Sequence, residues 1–130
     1  MKNIAFVCIH NSCRSQIAEA FTRIIGLGVC RAYSAGTEKR DNINPAAVKI
    51  MKELGIDMEI LQKPKLLNTL PPIDILITMG CNVNCPYIPC QHREDWGIED
   101  PSGKSDVEFR KTRDLIKSKV EILVNQLKKE

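Results

Sequence analysis

Cys8 and Arg14 stand six positions apart in the stretch Cys-Ile-His-Asn-Ser-Cys-Arg-Ser that runs from residue 8 to 15, directly after the apolar run Ile4, Ala5, Phe6 and Val7. This spacing suits oxyanion chemistry. A loop that runs into a helix N-terminus points several backbone N–H groups inward, where the helix dipole also favours negative charge. Arg14 can hold two oxygens of a tetrahedral anion in its planar fork. The same positive surroundings stabilise a thiolate at Cys8; cysteines in such sites have pKa values of about 3.5–7.5. The Ser15 hydroxyl can donate to that sulfur. Attack by the thiolate on a bound oxyanion would give a covalent intermediate. Cys8, Arg14 and Ser15 are therefore candidate catalytic residues, and Ile9, His10, Asn11, Ser12, Cys13 and Arg14 candidate substrate contacts. The plainer reading makes Cys8 a buried strand end and Arg14 a solvated helix residue. A cysteine closing a strand and an arginine opening a helix favour the first.

A second group of reactive side chains lies late in the chain, at Cys81, Cys85 and Cys90, with Cys30 standing alone. The start of the chain lacks the long apolar region of a signal peptide, and no apolar run approaches the roughly 18 residues of a membrane span. A cytoplasmic protein with no membrane association is expected. In a reducing compartment six cysteines serve catalysis, redox exchange, metal binding or packing rather than structural disulfides. Cys30, within a strand pattern, reads as a small core hydrophobe. Cys13 reads as loop packing. Cys81, Cys85, Cys90 and His92 also offer four soft ligands for zinc in a regulatory module, a reading that leaves the Cys8 loop without a purpose. The net charge of +3 and the absence of a basic tract interleaved with aromatics argue against nucleic acid.

These groups need a scaffold. Hydrophobic content of 43% and charged content of 27% in 130 residues suit one soluble domain spanning 1–130. Residues 4–8 read as a buried parallel strand. Ile17, Ala18, Phe21, Ile24 and Ile25 recur at helical spacing and are stopped by Gly26 and Gly28. Residues 29–35 form a second strand. Asn44-Pro45 opens a helix with apolar positions Ala47, Val48, Met51 and Leu54, capped by Gly55. Residues 73–79 are the third strand. Ser105 and Glu108 form a capping box for a final helix. Its apolar positions are Phe109, Ile116, Val120, Leu123, Val124 and Leu127. Alternating strands and helices imply right-handed crossovers, a parallel sheet and a ligand site beyond the carboxyl ends of the strands. Cys8 and Cys81, each just past a strand, would meet there.

The stretch from Val7 to Phe21 resembles the phosphate loop of the low-molecular-weight protein tyrosine phosphatase superfamily. It is closer still to the thioredoxin-coupled arsenate reductases built on that fold. The segment Asp95 to Asp106, with Asp100-Pro101, is similar to their Asp-Pro segment. The stretches from Ser34 to Glu38 and from Asn44 to Asp57 also match. The resemblance implies an α/β fold with a single-domain parallel four-stranded sheet and helices on both faces. It implies that arsenate, with phosphate as competitor, binds the Cys8 loop and that Asp100 acts as general acid, which requires a raised pKa. It further implies a relay in which Cys81 attacks Cys8 and Cys85 attacks Cys81, with Cys90 the alternative to Cys85. A thioredoxin or similar dithiol reductant then restores the enzyme, without a cofactor or metal, acting on a monomer. Oxidation is expected to remodel residues 81–90. A phosphatase is the alternative within the fold; no aromatic follows Asp100-Pro101 here, where phosphatases contact phosphotyrosine. Some relatives hold potassium near the loop. Asn11, Glu19 and Ser34 match three of its ligands and Lys65 stands at the fourth, so no potassium requirement is expected.

Overall fold

The computed structural model describes residues 1–38, 40–80 and 87–130. Four strands form one wholly parallel sheet: β1 (Lys2–Cys8), β2 (Cys30–Gly36), β3 (Ile75–Thr78) and β4 (His92–Asp95), in spatial order β2-β1-β3-β4. The register sets the site. Cys8 pairs with Gly36, Val7 with Thr78, and Thr78 with Asp95, so the carboxyl ends of all four strands finish along one edge.

The helices are α1 (Arg14–Ile25), α2 (Pro45–Lys52), the single turn α3 (Met58–Leu61) and α4 (Asp106–Lys128). Asn44 caps α2, its side-chain oxygen accepting from the Ala46 N–H at 2.9 Å, with Pro45 in the first turn. That helix ends at Lys52. Its exit is a left-handed turn in which the Gly55 N–H donates to Lys52 O and the Ile56 N–H to Met51 O, with Gly55 at φ +79°. Leu54 therefore lies beyond the helix and is exposed rather than on its apolar face. Ile24 likewise points to solvent, because the buried stripe of α1 ends at Phe21 and Thr22.

The helical cover is unequal. Phe6, Ile4, Ile75 and Ile77 meet α1, α2 and α4 in one large cluster that includes Phe21, Met51, Phe109, Ile116 and Val124. The opposite face presents Ala5, Val7, Leu76 and Ile73. Among the described residues it is covered by Tyr33, by Leu67 and Leu70 of a short 3-10 turn (Leu67–Thr69), and by Ile88 and Cys90. Strand β4 has an unbroken exposed pattern, His-Arg-Glu-Asp, and is a strand through its pairing with β3 rather than through apolar alternation. Among the described residues no helix is long and apolar enough to cross a membrane.

Candidate active site

The Cys8 loop sits where β1 ends and α1 begins, so sheet and helix fix both of its ends. Its carbonyls are tied down from outside. Ile9 O accepts from the Glu38 N–H, Asn11 O from Gln16 Nε2, Ser12 O from the Asn44 N–H and Cys13 O from the Ile17 N–H. Among the described residues no main-chain N–H of residues 9–14 donates to a protein acceptor. Asn11 adopts φ +52°, in the left-handed region. A left-handed residue within such a loop turns successive N–H groups toward one side, as in anion-binding concavities. Gly36 lets β2 approach this loop. A Cβ there would lie 2.6 Å from Ile9 O and 2.8 Å from Asn11 N.

Cys8 Sγ lies 2.8 Å from Ser15 Oγ in a buried contact. Asn11 Nδ2, an obligate donor, gives a hydrogen bond to the same oxygen at 2.8 Å. The Ser15 oxygen thus serves as acceptor for Asn11, and its own hydrogen is available to the sulfur. Arg14 is buried, with Nη1 donating to Met79 O at 2.9 Å and Ile98 O at 2.8 Å. Two carbonyls, one from the end of β3 and one from the loop after β4, hold the guanidinium by a single nitrogen. Among the described residues the other donors make no hydrogen bond, and Nη2 faces Asp100 Oδ2 at 3.9 Å. Gly80 allows this arrangement, since at φ +100° it packs so closely on the second loop that a Cβ would fall 2.9 Å from Ile98 N. Asp95 fastens the same corner. Its carboxylate accepts from Thr78 Oγ1 at 2.6 Å, the Gly80 N–H at 2.8 Å and the Gly97 N–H at 3.0 Å.

Asp100 Oδ2 lies 3.9 Å from Arg14 Nη2, on a side chain that is 47% exposed. Partial burial pushes its carboxyl up. The Ser102 N–H and hydroxyl, the Arg14 charge and His10 outweigh burial and hold it below the ordinary carboxylate range. Asp100 therefore does not carry the raised pKa that a resting general acid needs. Cys13 is the reverse case. Burial, with the charges of Asp100 and Cys8, drives its thiol far above the ordinary value despite Arg14, so it stays protonated. Burial also raises Cys30. His10 Nδ1 lies 3.5 Å from Glu38 Oε2 at the rim, and Ile9 is exposed.

At the positions matched to a potassium site, Ser34 and Lys65 both contact Glu19. Glu19, fully buried in α1, accepts from Ser34 Oγ at 2.5 Å and faces Lys65 Nζ at 3.4 Å and Arg23 Nη2 at 2.7 Å. Lys65 Nζ also donates to Lys63 O at 2.9 Å. Trp96 packs at 5.5 Å, centroid to centroid, on Phe6 of the main cluster and anchors the strand end before Asp100. Cys81 and Cys85, and with them the relay, lie outside the described residues. Cys90 is half-buried against the second face of the sheet. The sequence reading gives no role to Gln16, Gln62, Gly80 or Asp95, although Gln16 and Asp95 fall inside the matched stretches. Gln16 carries a local signal as a polar residue next to the apolar positions of α1.

The chain is 40% identical over 130 residues to arsenate reductase 1 of Staphylococcus epidermidis, covering 97% of this chain and 98% of that one. It is 37% identical to a glutaredoxin arsenate reductase of Synechocystis, over 98% of this chain and 99% of the relative. A solved structure of an arsenate reductase in the phosphate-binding state superposes with a TM-score of 0.87 at 37% identity, covering 98% of this chain and 99% of that chain. The low molecular weight phosphotyrosine protein phosphatase model matches residues 3–85 and 81–130. With this match spanning nearly the whole sequence, the chain belongs to the low molecular weight phosphotyrosine protein phosphatase family.

Proposed function

We propose that this protein reduces arsenate to arsenite, with Cys8 as the nucleophile and Cys81 and Cys85 as the thiol relay. The observation that carries the reading is the joint placement of Cys8, Ser15 and Arg14 under a loop of unpaired amides. Its support comes from relatives near 40% identity that are arsenate reductases. Arsenate matches the cradle in shape and charge. Its oxygens take the amides of residues 9–14 and the free donors of Arg14. The Cys8 thiolate attacks arsenic, and one oxygen leaves as water with a proton from Asp100. Binding itself supplies that proton's site: the anion cancels the Arg14 charge and sets negative oxygens beside Asp100, and both effects raise its affinity for a proton.

Cys81 then attacks the Cys8 sulfur. The sulfur–arsenic bond breaks, arsenic keeps the electron pair and departs as arsenite, and a Cys8–Cys81 disulfide forms. Cys85 attacks Cys81, frees Cys8 and leaves Cys81–Cys85 for an external dithiol of the thioredoxin or glutaredoxin class. Apart from the external dithiol, the groups this reading uses all come from one chain, and the working unit in it is a monomeric domain of residues 1–130. A reducing cytoplasm keeps its six cysteines as thiols. The test measures arsenite formation with a dithiol reductant against phosphate release from an aryl phosphate. Arsenite at multiple turnovers supports the proposal; fast phosphate release without arsenite overturns it in favour of a phosphatase.

A further inference from the structure

We propose that Gln16, held between main-chain carbonyls and Gln62, is a positioning residue that, together with the Lys65 N–H, fixes the direction of the hydrogen bonds ending on the Cys8 sulfur. This rests on the reading of Cys8 as the nucleophile and goes beyond the groups that touch substrate. Side-chain amides can point either way round, and main-chain partners decide which way they point. Gln16 Nε2 lies 3.0 Å from Asn11 O and 2.9 Å from Lys63 O. Both are carbonyls, so this end of Gln16 has to be the NH2. Gln62 Nε2 closes the other end, donating to Gln16 Oε1 at 2.6 Å and to Gln16 O at 3.0 Å.

The next link inherits that direction. The Lys65 N–H, an obligate donor, gives a hydrogen bond to Asn11 Oδ1 at 2.8 Å, and Gln16 Nε2 lies 2.9 Å from the same oxygen, its two hydrogens shared among three acceptors. Asn11 therefore has to offer its NH2 to Ser15 Oγ, and Ser15 can turn its hydrogen to Cys8 Sγ. With Asn11 reversed, its oxygen would face Ser15 and take that hydrogen, leaving the sulfur without a donor. All of Gln16, Asn11 and Ser15 are fully buried, so water does not compensate. The donor direction at the sulfur is thus set from residues 62–65, some fifty positions along the chain.

The experiment follows alkylation of Cys8 by iodoacetamide as a function of pH, resolved by peptide mass spectrometry, so it needs no arsenate. Gln16→Met is expected to move the pH–rate profile to higher pH and slow alkylation at neutral pH about tenfold, the change that one unit of pH shift represents. Gln62→Met, at the far end of the chain of bonds, gives a smaller shift in the same direction and serves if Gln16→Met does not fold. In a Ser15→Ala background the shift from either substitution should vanish, because the path to sulfur is already cut. Wild-type profiles in the variants overturn the proposal, as does a shift of equal size in the Ser15→Ala background. Failure of the wild type to make arsenite leaves this alkylation result standing and overturns only the reaction.

Discussion

The two sides of the site are built differently. The Cys8 loop is buried from Asn11 to Arg14, its carbonyls are tied to α1 and to the segments after β2 and before α2, and among the described residues its amides have no protein acceptor. The Asp100 loop is exposed. The described loop contacts that carry it to the site are the Ile98 carbonyl on Arg14, the packing of Gly80 on Ile98, and the Asp95 clasp. The first side is preorganised before the anion arrives, which is where electrostatic stabilisation of a reacting oxyanion is strongest. On the second side Asp100 is held below the ordinary carboxylate range. If the proposed reaction holds, binding and acid catalysis draw on different sides, and substitutions should separate them.

The largest effects belong to the buried side. Cys8→Ser abolishes turnover and leaves oxyanion binding largely intact, as isothermal titration with phosphate would read. Arg14→Lys weakens both, since an ammonium lacks the planar fork that spans two carbonyls and a ligand. If Cys8→Ser still turns over arsenate, the buried side does not hold the nucleophile.

Next in size is Asp100→Asn. It slows formation of the Cys8–arsenic bond by about 10²–10⁴-fold, the usual worth of general-acid help. Thiol exchange among the cysteines keeps its rate. Single-turnover measurements separate the steps, and an unchanged first step removes Asp100 from that role.

Gly80→Ala tests the joint between the two sides. A Cβ at φ +100° against Ile98 strains the backbone and should cost about 1–3 kcal/mol in denaturant unfolding. It should also loosen Arg14 by moving the Ile98 carbonyl, seen as weaker phosphate binding. Lost stability with unchanged binding would show that the joint does not transmit to the cradle.

The smallest expected effect is none. Exchanging potassium for sodium at constant ionic strength leaves the rate unchanged, because Lys65 places an ammonium against Glu19. A potassium-dependent rate would mean that the lysine does not serve as that cation.

Legibility followed distance along the chain. β1, α1 and the start of α2 announce themselves through apolar spacing, an N-cap and a proline, all within a few residues. Cys8, Arg14 and Ser15 share one short loop, and their contact is local. β4 is silent because His92, Arg93, Glu94 and Asp95 are all exposed and owe their conformation to a neighbour. The anchors of Arg14 are equally silent, since Met79 and Ile98 contribute main-chain oxygens that any side chain would allow. Gln62 reaches Gln16 across 46 positions. The ionisation of Asp100 depends on Ser102, two residues away, as well as on Arg14 and His10, and no motif weighs those against burial.

The unequal cover of the sheet among the described residues predicts two opening free energies for this protein instead of one. Amides beneath the large cluster of α1, α2 and α4 exchange with solvent hydrogen only when the molecule unfolds as a whole. The four-residue cluster of Ala5, Val7, Ile73 and Leu76 is capped by short pieces, Ile88 and Cys90 among them. Lifting residues 87–90 exposes little apolar surface and leaves the other face intact. Hydrogen–deuterium exchange should therefore find the segment that follows Cys85 opening far more often than the strands it covers. On the proposed reaction, a thiol relay would draw on that inexpensive local opening, while Cys8 at the end of β1 stays in the main buried cluster.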